Sequence, residues 1–521
     1  MKPKAWAMYR PWPTLEWCVS SSRIESDKSL YAIAWLLLVT PALAQPALTS
    51  SFTTPRPPAW ARLCPEPPYP AAWVWGADEV PAPRSATHGR PKIEQIRNGR
   101  VIATYRSLAD GPGCDYHAVP TWQSPSGPAA SGCGPFTRVH AYRLWAPGDT
   151  FLVYPAIYGG DENQPWFGPM FDSDAQYADG HGTPTPMHDI TVTGITQGGE
   201  RPVILVSANA ANNTLGQGSI YFDKSKNVKF GGINLVAVKG AWVGRAGIYD
   251  VGASDLTLHD MRVSNFAQQG IDGAMGVFGA GQYEGYLHME RMELDHNGGQ
   301  NGPAHNAYIN ASATDPNFTV SFTNSWSHDS YYGHLFKSRA QHTIIEGSYF
   351  QGGRPQPGHT QAEAFLLDVP NGGKLQVTNS IFVKTASGHE SNGVAISYYE
   401  EGDAEGGTPR DFSVDIENNT FLAMAATYDG THPNFPFWIK RGHGDVTVKD
   451  NVFGGWCPAA DEIRNYRGSI ALTVPPSDFT EDFALRSKYT GEAGPAQGQP
   501  AYLHETATGA PRKLTTIGAR D

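Results

Sequence analysis

The chain has 521 residues, with 57 glycines, 41 prolines and only 17% charged side chains. Elongated β folds run this long as one unit, and 11% aromatic content supplies a large core, which excludes wholesale disorder. The formal net charge of −11 excludes a nucleic-acid partner, because phosphate contacts need clustered Lys and Arg.

In chain order, the first feature is an export leader. Arg23 and Lys28 precede the apolar run Leu30 to Val39, followed by Pro41-Ala42-Leu43-Ala44. A basic region, a short apolar region and an Ala-x-Ala site predict cleavage before Gln45. The stretch before residue 20 is long and Trp-rich for a leader and fits an over-called start. The run is too short to span a bilayer comfortably. No membrane span is expected after residues 1–44 are removed, and the expected location is secreted or periplasmic. Removal leaves 34 basic and 47 acidic side chains, a net charge of −13. Four cysteines stay: Cys64, Cys114, Cys133 and Cys457. An even count in an exported chain predicts disulfides, with three pairings open. Cys114–Cys133 would close a short loop, and Cys64–Cys457 would tie the amino-terminal segment to the end of the repeats. No CxxC pair suggests a zinc site.

Residues 45–147 are Pro-rich and predict an irregular N-terminal cap. From 148 to 456 a phrase recurs: two alternating apolar positions, a short turn, then another apolar residue. Its anchors are Phe230, Leu258, Met289, Phe322, Ile345, Val377, Ile416 and Val448, spaced 23 to 39 residues apart. Irregular spacing around a fixed phrase predicts a solenoid with loops of variable length. A propeller would show more regular hairpins, and leucine-rich repeats would show LxxLxL. Each phrase reads as a short strand broken at an Asn or Gly bend. The elements Thr-Asn-Ser, Glu-Asn-Asn-Thr and Lys-Asp-Asn predict an Asn stack at one corner. Residues 457–521 read as a C-terminal tail packed on the repeats, protecting an open sheet end. The fold class is therefore all-β, a right-handed parallel β-helix with an irregular cap and a tail, and a monomer is expected.

Equivalent residues of neighbouring coils stack ~4.8 Å apart. Aligning the strands before each anchor predicts a column of Asp250, Asn310, Lys337, Asp368, Tyr398 and Lys440. Lys337 and Arg339 point to the same side of one strand. His305, Tyr308 and Asn310 flank them on one coil, and Glu363 and Asp368 on the other. Two cations on an acidic chain suit a uronic-acid polymer. A cation neutralises the sugar carboxylate, a base takes the C5 proton, and the leaving oxygen needs an acid. Tyr308, Asn310, Asp368, Tyr398 and Lys440 are the expected substrate contacts. Glu363 and Asp368 offer oxygen ligands for an optional calcium ion.

The run from about 190 to 455 resembles the pectate lyase-like right-handed β-helix superfamily. GHLFKSRAQHTIIEGSYF, residues 333–350, is similar to its alginate lyase and chondroitinase B branch. The resemblance implies a lysine base, an arginine acid and a uronate-binding calcium. Lys337 matches the base. Arg339 lies closer in sequence than the family's arginine, and Asn310 and Glu363 are the nearest matches to its calcium ligands. The Gly-His-Gly segments at 180–182 and 442–444 lack the paired acids of pectin hydrolases. His328-Asp329 lacks the Asp-Pro half of the mannuronan epimerase motif.

The leading expectation is a polysaccharide lyase acting by β-elimination. Lys337 is its base and Arg339 its carboxylate neutraliser, with His305 or His334 assisting proton transfer. The alternatives are a non-catalytic glycan-binding envelope protein and a polysaccharide C5-epimerase.

Overall fold

In the computed structural model the described residues are 89–108, 133–136, 145–159, 170–172, 188–197, 200–206, 220–223, 225–237, 246–266, 275–280, 284–298, 305–311, 317–330, 333–352, 364–384, 394–399, 412–423, 436–439, 445–454, 470–471, 502–504 and 511–513. All belong to one unit, Pro57–Asp521. The leader, Cys64, Cys114, Cys457, Glu363 and Lys440 lie outside them. So do the partners that Cys133 was expected to find, although Cys133 itself is buried in the core. Among the described residues none is helical, and no helix is long and apolar enough to cross a membrane.

The strands form three long stacks of 12, 11 and 9 strands. One coil shows the path. Tyr286–Glu290 lies in the 12-stranded sheet, Glu293–Asp295 in the 11-stranded sheet and Ala307–Asn310 in the 9-stranded sheet. Thr319–Thr323 then returns to the first sheet, in parallel register beside Tyr286–Glu290. This all-β arrangement of stacked parallel strands is compatible with the expected solenoid.

All eight anchors fall in one register column of the 12-stranded sheet, from Phe230 opposite Leu258 to Ile416 opposite Val448. Each is at most 3% exposed. Alternation explains this: in KLQVT, Leu375 and Val377 are buried while Lys374 and Gln376 are exposed. The inward faces of all three sheets share one core. On the 11-stranded sheet, Phe350, Phe382, Phe421 and Phe453 stack with centroids 4.9, 4.9 and 5.2 Å apart.

From the coil of Lys226–Gly231 onward, the turn between the first and second sheets passes through one left-handed residue. The column runs Gly232, Asp260, Arg291, Asn324, Gly347, Asn379, Asn418 and Asp450, each with positive φ. Asn, Asp and Gly accept that conformation at low cost. Arg291 does not, but its guanidinium makes two 2.7 Å bonds to the Asp260 carboxylate. Burial pushes the Asp260 carboxyl up, but its bonds to Arg291 and His259 outweigh this and hold it well below the usual range. Its stabilising contribution is therefore complete above the unfolded value of ~3.9 and lost as pH falls through the lower folded value. Asp260→Asn should lower stability by a constant amount above pH ~6 and flatten the acid limb of a urea-unfolding series.

The expected Asn stack exists at Asn419 and Asn451, and in the Thr-Asn-Ser elements the stacking residue is the serine after the asparagine. Ser325, Ser348, Ser380, Asn419 and Asn451 form the ladder. Each side-chain oxygen accepts from the preceding coil: Met292 N to Ser325 Oγ at 2.9 Å, Ser325 N to Ser348 Oγ at 3.2 Å, Ser348 N to Ser380 Oγ at 3.0 Å, Ser380 N to Asn419 Oδ1 at 2.9 Å and Asn419 N to Asn451 Oδ1 at 2.9 Å. Asn419 also donates to the Val377 and Glu417 carbonyls, both at 2.9 Å. Asn419→Ala orphans several of these buried groups at ~1–3 kcal/mol each. It should cost about 3 kcal/mol in total, read from a chemical-denaturation midpoint.

The amino-terminal region is more regular than expected. Ile93–Arg97 and Arg100–Tyr105 form an antiparallel hairpin that pairs with Thr150–Val153 and covers that edge of the 12-stranded sheet. Asn98 and Gly99, both with positive φ, make its turn, and Asn-Gly between alternating strands is its sequence signal. At the other end, Ile470–Ala471 adds a parallel strand beyond the expected boundary at 456. A second hairpin, Tyr502–His504 with Pro511–Lys513, approaches the strand Trp326–His328.

Candidate active site

The 9-stranded sheet carries the expected cluster on short strands. Tyr308 is in register with Lys337, Lys337 with Asp368, Asp368 with Ser397, and Ser397 with Trp438. This corrects the expected column at three places. Asp250 lies in the neighbouring register column, opposite Gly279, and its buried carboxylate caps a turn by accepting from Ala253 N at 3.1 Å. Tyr398 is opposite Val369, 1% exposed, and donates its hydroxyl to the Gly373 carbonyl at 2.6 Å. Tyr398 is therefore a core residue, and Ser397 takes its place in the column. Tyr308 replaces Asn310, which follows two residues later on the same side. The Asn310 Oδ1 is buried and accepts no hydrogen bond among the described residues.

The centre of the site is a buried carboxylate. Asp368 is 0% exposed, with Lys337 Nζ 3.1 Å and His334 Nε2 3.3 Å from its Oδ2. The Ser397 hydroxyl donates to its Oδ1. Burial raises the Asp368 carboxyl above its ordinary value, and the bonds from Lys337 and Ser397 only partly reverse this. Lys337 is 12% exposed at its side chain. Beside it, Arg339 Nε donates to the Tyr308 hydroxyl at 2.8 Å, and its other arm donates to Asn371 Oδ1. Asn371 sits on the Asn-Gly-Gly turn. There Gly373 has a φ of 94°, and a Cβ would lie 2.4 Å from the Gln341 carbonyl.

The two histidines are wired to the backbone. His334 N donates to His305 Nδ1 at 2.8 Å, and Phe365 N donates to His334 Nδ1 at 3.1 Å. Their rings stack at 4.7 Å and 9°. Each Nδ1 is therefore an acceptor, and each Nε2 carries the hydrogen of the neutral ring. His334 Nε2 lies 3.3 Å from Asp368 Oδ2. Burial, reinforced by His334, Lys337 and Arg339, holds His305 well below the ordinary imidazole range. Its ring resonances should show no protonation step near ~6.5, where free imidazole titrates. This wiring suits positioning and leaves neither ring an open lone pair for a base.

Aromatic rings extend the face in both directions. Tyr221 and Tyr249 stack at 5.5 Å on one side. On the other, Tyr399 and Trp438 stack at 5.7 Å, and Trp438 is 41% exposed.

No family model matches the chain, and no curated protein or solved structure matches it significantly.

Of the expected calcium ligands, Glu363 lies outside the described residues, and Asp368 Oδ2 faces the Lys337 ammonium at 3.1 Å and His334 Nε2 at 3.3 Å while Ser397 donates to Oδ1.

A second cluster, unread in the sequence, lies on the 11-stranded sheet. Register places Arg262 beside Glu293, and Ser264 beside Asp295, which pairs with His328. Arg262 holds Asp295 through two bonds of 2.9 and 2.7 Å, and Ser264 adds one of 2.8 Å. His328 lies 3.4 Å from Glu293 and 2.6 Å from Asp329. Burial opposes protonation of His328, but those two bonds outweigh it and push the imidazole up to about 9. The available signal was positional: these residues stand two and four places after each left-handed turn residue. Asn306 joins the two clusters. It follows His305 and donates to the Leu294 and His328 carbonyls at 2.9 and 2.8 Å.

Proposed function

We propose that the chain is a right-handed parallel β-helix of the pectate lyase-like kind, exported from the cell, that cleaves a uronic-acid polysaccharide by β-elimination. The right hand follows the general preference of connections between parallel strands. The observation that carries the reading is the Lys337–Asp368 pair, a nearly enclosed lysine 3.1 Å from a fully buried carboxylate.

Burial disfavours the ion pair relative to its neutral form. Lys337 passes a proton to Asp368, and the freed Nζ lone pair takes the C5 proton of the uronate. The C5–H electrons form the C4=C5 double bond, the C4–O bond breaks, and the leaving oxygen takes the Tyr308 phenol proton. Arg339 Nε, 2.8 Å from that phenol oxygen, stabilises the phenolate, while the guanidinium charge also offsets the sugar carboxylate. Asp368 then returns a proton through solvent to Tyr308. His334 orients Asp368, and His305 supports His334. The flanking Tyr221, Tyr399 and Trp438 supply stacking faces for further sugars.

Non-catalytic capture of the same polymer is the second reading. It is favoured by the mutual satisfaction of Lys337 and Asp368 in the resting chain. The test is a panel of uronate polymers, with neutral polymers as controls, read by the ultraviolet absorbance of unsaturated uronate. A rise on one or more uronates supports elimination. Retention of polymer with a flat trace supports capture. Uptake of solvent deuterium without shortening points to epimerisation.

A further inference from the structure

The three sheets end unevenly. The 12-stranded sheet ends on Asp445–Lys449. Relative to that strand, the 11-stranded sheet extends one strand further, to Ile470–Ala471, and the 9-stranded sheet stops one strand short, at Phe437–Ile439. Among the described residues no strand pairs with the outer side of Asp445–Lys449. The core is open there too. Val446 continues the inward column of Leu375 and Val414, both 2% exposed, yet it is 49% exposed itself. The Lys449 carbonyl faces back to Asn418 N of the preceding coil. Backbone groups alternate sides along a strand, so Val446 and Val448 turn their N–H and C=O to the open side.

We propose that this open end is the interface of a twofold dimer, in which Asp445–Lys449 pairs antiparallel with the same strand of a second copy. The sequence Asp-Val-Thr-Val-Lys is complementary to its own reverse. With Thr447 opposite its counterpart, Val446 lies opposite Val448 and Asp445 opposite Lys449, each twice. The outward backbone groups of Val446 and Val448 then bond to one another across the axis. On the core face, the exposed Val446 meets an apolar side chain. On the solvent face, Asp445, which makes no ion pair among the described residues, gains an ammonium. Lys449, 2.9 Å from Glu417 of its own coil, lies between that carboxylate and the second copy's acid. Opposite charges facing across an antiparallel pair stabilise it, and like charges oppose it. A lysine on an edge strand guards against foreign strands, and this one admits a partner that presents an acid at that position. The twofold axis also sets the longer 11-stranded sheet of one copy against the shorter 9-stranded sheet of the other, so the uneven ends fit. The other edge of the 12-stranded sheet, Arg100–Tyr105, offers Lys449 no carboxylate and would add copies without closure. The inference rests on the fold and is independent of the Lys337 chemistry. It replaces the monomer expected from the sequence.

The experiment is sedimentation velocity of the full chain over a concentration series. The expected result is a species of twice the chain mass and no longer ladder. Asp445→Lys sets ammonium against ammonium and should shift the series to single chains, and Lys449→Asp should do the same with carboxylates. The double swap Asp445→Lys/Lys449→Asp should restore the dimer, a rescue that misfolding could not give. Thr447→Cys should cross-link the dimer on mild oxidation, because facing residues of a non-hydrogen-bonded pair have Cα atoms ~4.5 Å apart, within disulfide reach. The wild type run alongside controls for the native cysteines. A wild-type chain that stays single at every concentration overturns the proposal, as does a dimer that both single variants leave intact. A ladder of higher species overturns it in favour of open end-to-end stacking.

Discussion

Lys337→Ala should reduce formation of unsaturated product by ~10³-fold or more, the scale of a positioned proton-transfer group. The substitution removes the amine that lies beside Asp368 among the described residues. It leaves the neighbouring guanidinium, Tyr308 and the flanking aromatic rings to hold polymer. Polymer retention should therefore fall far less than turnover, so the loss should appear in kcat rather than KM. Tyr308→Phe should also slow turnover, by ~10²–10⁴-fold, because it removes the proton destined for the leaving oxygen. The two losses should not multiply in the double variant, because both groups act in one step. Steady-state rates on the preferred polymer, with affinity electrophoresis alongside, decide this. Equal losses of retention and turnover would show that Lys337 only binds.

Asp368→Leu should destabilise the chain by ~3–5 kcal/mol, the cost of leaving a partner charge enclosed without its counter-ion. Asp368 is 0% exposed, and Lys337, His334 and Ser397 all converge on it. Removing the carboxylate leaves the ammonium facing an apolar wall and leaves the Ser397 hydroxyl without an acceptor. The double variant Lys337→Met/Asp368→Leu should recover most of that stability, because an apolar pair replaces a buried ion pair at little net cost. It should recover no activity. Denaturation midpoints of the wild type and the three variants form a double-mutant cycle. Additive costs would mean that the pair is not energetically coupled.

The repeat was legible because its signal is redundant. Eight strands of five or six residues with alternating sides place Phe230 to Val448 in one column, and a register error would have turned every one of them outward. The site strands offered less. Ile396–Tyr398 has three residues and reads Ile-Ser-Tyr, with Tyr399 following, so pattern alone did not separate the inward Tyr398 from the outward Ser397. Asn310 and Tyr308 are two apart on one side, and only pairing with the next coil shows which of them meets Lys337. The ladder was legible at Asn419 and Asn451 but not at Ser325, Ser348 and Ser380, because the stacked residue after each left-handed position varies between Ser and Asn. Arg262, Glu293 and Asp295 escaped notice because Arg262 and His328, which meet the two acids, come from other coils.

The most direct measurement is the mass of the fragments formed from a uronate polymer in oxygen-18 water. Elimination predicts unlabelled fragments, each new non-reducing end lighter than a hydrolysis product by one water, and their absence with Lys337→Ala. Fragments that carry the oxygen-18 label would contradict the account, because water would then have been added across the broken bond.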